Sequence, residues 1–128
     1  MSLAAAIAAL GAHVEDLAGL SRVFTAAPDT LNQLPAAVLY PTEGTMEANA
    51  AGGRSFHTIV VEIHHSRQVL PQAITDAVVW PDLMYAELKT ATDLHIIWPI
   101  KYKAAGLIYG NETHYGVRFE IQVKVNET

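Results

Sequence analysis

The chain reads as one α+β domain: an antiparallel, or mixed, sheet of four or five strands with two or three helices packed on one face. Three observations carry that reading. From Tyr115 onward apolar and polar residues alternate strictly. Residues 3–17 carry an apolar stripe of helical period. The elements follow one another as α-β-β-β-α(α)-β-β, without the regular alternation of a parallel βαβ fold. The 128 residues and 13.9 kDa set a single domain, residues 1–128, large enough to bury a core without staples.

The first helix is argued from Leu3, Ile7, Leu10, Val14 and Leu17, spaced four and three apart on one stripe. Ser2 is placed to cap it, the surrounding alanines are strong helix formers, and Gly19 fits just past its end. Arg22–Thr25 and Ala36–Tyr40 are too short for helices and read as strands near an edge, the second lying between Pro35 and Pro41. Residues 42–54 have no period and hold three glycines, which predicts a long mobile loop, or a hairpin that orders only against a partner. Phe56–His64 is a strand with Ile59, Val61 and Ile63 on one face and Thr58, Glu62 and His64 on the other.

A second helical region spans about Leu70 to Leu94, read as two helices meeting at Trp80-Pro81. Ile100–Tyr109 is a strand, and Gly110-Asn111 signals a turn. In the last strand Tyr115, Val117, Phe119, Ile121, Val123 and Val125 face the core. Gly116, Arg118, Glu120, Gln122 and Lys124 face water.

Composition narrows the function. Hydrophobic residues make up 51% and charged residues 16%, which excludes disorder. The mean hydropathy of +0.19 points to apolar surface that another chain covers. A net charge of −5, with 8 Lys and Arg that form no cluster, argues against a specific nucleic-acid partner. With no cysteine, disulfide scaffolds, thiolate catalysis and sulfur-ligated zinc are excluded. The apolar run Leu3–Leu10 lacks the basic flank of a signal peptide, and no apolar stretch reaches the ~18 residues of a membrane span. A soluble, cytoplasmically made protein without a membrane partner is expected.

No catalytic constellation emerges. His64 and His65 are neighbours on a strand and point to opposite faces, while His57 and His65 stand too far apart to share an ion. Glu62 and His64 would hold a metal only if His114 or Glu120 came alongside, so surface histidines bordering a subunit interface are the expectation. The serines lie in no nucleophile elbow, and Gly52-Gly53-Arg54 is no phosphate loop. Tyr102, Tyr109, Tyr115 and Phe119 are read as filling the space between sheet and helices, and Trp80 and Trp98 as packing anchors. No enzyme, metal or cofactor is expected.

Several segments taken together resemble a known family. They are "RVFTAAPDTLNQLPAAVLYP" with Leu34-Pro35 before its strand, "FHTIVVEIHHSR" with Arg67, the "VLPQAITDAV" helix after Leu70-Pro71, and the closing "YKAAGLIYGNETHYGVRFEIQVKV". In order and texture they resemble the tail terminator and tail-completion proteins of long-tailed bacteriophages and prophages, across almost the whole chain. The resemblance implies a structural virion protein, assembled in the host cytoplasm and residing in the tail. It would form a homohexameric ring that caps the tail tube, touching the tail-tube protein on one side and the head-side connector protein on the other, without catalysis or cofactor. A head-completion or head–tail joining protein, or a non-viral soluble α+β binding domain, shares the same size and texture. A ring needs a head-to-tail contact. The residues expected at a subunit or tube interface are Glu43, Glu47 and Arg54 in the 42–54 segment, and Arg118, Glu120, Gln122 and Lys124 on the wet face of the last strand.

Overall fold

A computed structural model describes residues 1–49, 52–68 and 70–127. The elements are α1 (Leu3–Glu15), β1 (Arg22–Phe24), β2 (Ala36–Asn49), β3 (Gly52–Ser66), α2 (Pro71–Ala77), α3 (Val79–Leu88), β4 (His95–Tyr109) and β5 (Glu112–Glu127). They build a five-stranded mixed sheet in the order β1-β2-β3-β5-β4, with β1 parallel to β2 and every other pair antiparallel. The α+β class read from the sequence is the one observed.

Ser2 caps α1 as expected, its Oγ accepting a hydrogen bond from the Ala5 amide at 3.0 Å. Ala6, Leu10 and Val14 of α1 and Trp80, Met84 and Leu88 of α3 are buried against one sheet face. That face is made of Leu39 together with Ile59, Val61 and Ile63 and with Val117, Phe119, Ile121 and Val123, the last two groups belonging to the alternating sets read from the sequence. Burying one large aliphatic or aromatic side chain contributes about 1.5–3 kcal/mol, so this interlocking layer is the principal source of stability.

Several sequence expectations need correction. The second helical region stops at Leu88, and its break falls at Val78 rather than at Trp80-Pro81. Pro81 is the third residue of α3, where a missing N–H is tolerated because first-turn amides lack a helical acceptor anyway. Strand β4 begins at His95, earlier than Ile100, and a register shift between Ile97 and Lys101 accommodates Pro99 within it. Trp80 is a buried anchor, but Trp98 is 44% exposed and meets Tyr85 edge to face. Of the aromatics read as filler, Phe119 is buried, whereas Tyr102 is 59% exposed.

Of the two forms expected for residues 42–54, a loop and a hairpin, the hairpin is observed. Those described are the two arms of a long hairpin, with Glu43 opposite Thr58, Thr45 opposite Phe56 and Glu47 opposite Arg54; Ala50 and Ala51 lie outside the described residues. Pro41 to Ala48 are all exposed, so both faces are wet and no period-two pattern marks the strand. Gly44 is required by close approach: a Cβ there would stand 2.4 Å from the Phe56 carbonyl oxygen.

The opposite sheet face is not uniformly wet. Residues 25–35 fold over one end of it, burying Leu31, Ala36 and Val38 with Phe24, Leu34, Tyr40 and Tyr109 packed around them. The Tyr109 hydroxyl donates to the Pro28 carbonyl, and Arg67 donates to the carbonyls of Leu31 at 3.0 Å and Asn32 at 3.3 Å.

Candidate functional site

The seven residues singled out in the sequence all lie on or beside the face opposite the helices. The ladder places Glu43, Thr58 and Gln122 in one row and Glu47 beside Arg54 in another. Glu43, Thr58 and Gln122 line one shallow cavity of about 260 Å³ together with Phe56 and His57. Glu47 Oε2 accepts from Arg54 Nε at 2.5 Å across the hairpin. Lys124 lies opposite Phe56 on the same face.

Arg118 and Glu120 are not free charges. Arg118 Nη1 donates to Glu120 Oε1 at 2.5 Å, and its Nε lies 4.0 Å from Glu62 Oε2. The hydrogen bond to Glu120 raises the Arg118 pKa above its ordinary value. Because β5 lies between β3 and β4, Arg118, Glu120, Gln122 and Lys124 offer a sheet face to a partner, not a sheet edge.

The histidines depart most from expectation. His64 and His114 are fully buried rather than on the surface, with the His64 ring edge to face against both His114 and Tyr109. Their Nδ1 atoms are 3.0 Å apart, His64 Nε2 meets Glu62 Oε1 at 3.0 Å, and His114 Nε2 meets Glu112 Oε2 at 2.8 Å. Tyr40 donates its hydroxyl proton to Glu62. Burial pushes the Glu62 pKa up, but the bonds from His64 and Tyr40 and the Arg118 charge outweigh it and leave it lowered. Burial, with Glu62 beside it, raises the Tyr40 pKa. Among the described residues no buried side-chain nitrogen or oxygen lacks a partner, so this network is satisfied internally.

A second cluster joins elements that sequence spacing could not connect. His13 of α1 bonds Glu87 of α3 through Nδ1 at 2.7 Å and Asp93 through Nε2 at 2.6 Å. His13, Asp16 and Glu87 hold ligand-type atoms within 4.8 Å of one another, though both ring nitrogens of His13 already face carboxylates. The geometry is that of an ion-pair clamp between the ends of α1 and α3.

Apolar surface gathers at the far edge of the sheet. Pro81, Met84, Tyr85, Trp98, Ile100 and Tyr102 frame a groove of about 140 Å³ between α3 and β4. Among the described residues no helix is long and apolar enough to cross a membrane. Compared with protein-family models and with curated proteins, the chain matches none.

Proposed function

We propose that this chain is a structural subunit of a long-tailed bacteriophage tail, forming a ring that caps the tail tube and meets the head-side connector. The observation that carries the reading is the β2–β3 hairpin, whose Pro41–Ala48 arm is exposed on both faces. An arm that buries little within its own chain gains its apolar and polar contacts from another surface. Continuous with it is a polar sheet face whose charges are matched in pairs, Glu47 with Arg54 and Arg118 with Glu120. Such a face sets register and partner choice more than affinity. The ionisable clusters support structure in this reading: His64 and His114 are sealed from solvent, and His13 ties two helices together.

The test is omission of this chain from a phage or prophage that encodes it, with particles viewed by electron microscopy. Tails of abnormal length that fail to join heads are expected. Normal-length tails joined to heads contradict the reading.

A further inference from the structure

We infer that copies of this chain join head to tail by continuing one sheet into the next, the outer edge of β4 pairing antiparallel with the outer edge of β2 in a neighbouring copy. The inference rests on the reading of the chain as a ring subunit and specifies the contact that closes the ring. Two different open edges exist. β4 is the last strand of the sheet, and β1 covers β2 only at residues 36–38, so from Leu39 onward β2 has no strand on its outer side among the described residues. Exposure marks both edges: Pro41–Ala48 on β2 and Lys101–Ala104 on β4 are exposed at every position, regardless of the alternation a covered strand shows.

The edges carry opposite charge on the same face. Glu43 and Glu47 point to the face opposite the helices, as do Lys101 and Lys103, which the ladder sets against Glu120 and Arg118. Among the described residues Glu43, Lys101 and Lys103 make no ion pair, and Lys103 stands opposite the like charge of Arg118. The other face matches as well. Met46, 82% exposed, lies on the helix side of β2, and Trp98 and Tyr102 lie on the helix side of β4. β2 and β4 run in opposite directions within the sheet, so a copy added edge to edge in the same orientation brings them together antiparallel with both faces preserved. With Glu43 opposite Lys103, Met46 falls opposite Ile100, between Trp98 and Tyr102. Unlike edges make a heterologous contact, the kind that closes rings.

The chain has no cysteine, so introduced thiols report the contact directly. Thr42→Cys and Ala104→Cys in one chain, treated at high protein concentration with a short bis-maleimide, are expected to give a ladder of covalent multimers. Each single-cysteine variant is expected to give no ladder. Adding Lys101→Glu and Lys103→Glu is expected to abolish the ladder, whereas Lys101→Arg and Lys103→Arg keep it. Dimers from Ala104→Cys alone indicate a two-fold β4–β4 contact and overturn the inference. So do the absence of multimers and a ladder indifferent to charge reversal. The readout uses the purified chain: a ladder from a chain absent from virions removes the phage reading alone, and no ladder removes this contact alone.

Discussion

His64 and His114, fifty residues apart in sequence, face each other through their Nδ1 atoms at 3.0 Å inside the protein. Each Nε2 meets a carboxylate, Glu62 or Glu112, and therefore donates to it. Replacing one ring leaves the Nδ1 of the other without its partner in a buried site. His114→Leu and His64→Leu are each expected to destabilise by about 1–3 kcal/mol, with the double variant losing less than the sum. Urea unfolding midpoints of the three variants measure this, and simple additivity would show that the two rings are not coupled.

The His13 clamp gives stability a pH dependence. Partial burial of the ring lowers its pKa, but hydrogen bonds to Glu87 and Asp93 outweigh this and leave it raised above the usual 6.5. The hydrogen bond from His13 lowers Asp93 below its usual 3.8. A raised histidine contributes fully below pH 6.5 and loses its contribution as pH rises through the folded value; Asp93 loses its own only in acid. His13→Gln is expected to cost about 0.5–1 kcal/mol near pH 5.5 and less near pH 8.5. Thermal melts of both proteins across that range check the sign, and a cost that grows with pH contradicts it.

The Pro41–Ala48 arm is held by ladder hydrogen bonds to β3 on one side with little burial, which places this end of the hairpin at the low end of local stability. Limited trypsin digestion is expected to cut first after Arg54, the exposed basic residue that faces this arm across the hairpin. First cleavage after Lys89 or Lys101 would place the weakest segment elsewhere.

Arg118 and Glu120 satisfy each other, so single reversal does more than exchange a surface charge. Glu120→Arg sets two guanidinium groups side by side and releases Arg118 toward Glu62. It is expected to cost no more than about 1 kcal/mol of stability, as for other partly exposed pairs, while impairing the joining of tails to heads. A fold-stable variant that assembles normal particles would remove this face from the interface.

What the sequence disclosed depended on burial. The strict alternation of Val117, Phe119, Ile121 and Val123, and the stripe of Leu10 and Val14, were legible because one side of each element meets the core. Residues 42–54 leave a loop and a hairpin undecided in the sequence because a strand exposed on both faces, as Pro41–Ala48 is, has no hydrophobic period to show. The β4 start at His95 was hidden by Pro99, which signals a break yet sits at a register shift on an edge strand. The meeting of His64 with His114 and Tyr109 joins β3, β5 and β4, contacts distant in sequence that no local spacing encodes. The same holds for His13 with Glu87 and Asp93. Arg118 and Glu120 are legible as charges on the wet face of the last strand and Glu43, Glu47 and Arg54 only as charges of an aperiodic segment; that they share one face, and pair as Glu47–Arg54 and Arg118–Glu120, comes only with the strand register.

The most direct test of the central claim is to locate the chain in particles. A tagged copy, expressed with the phage or prophage that encodes it and visualised by gold labelling on purified tails, is expected at one end of each tube, the end that meets the head. Label distributed along the tube, or tails that carry none, would contradict a ring-forming cap.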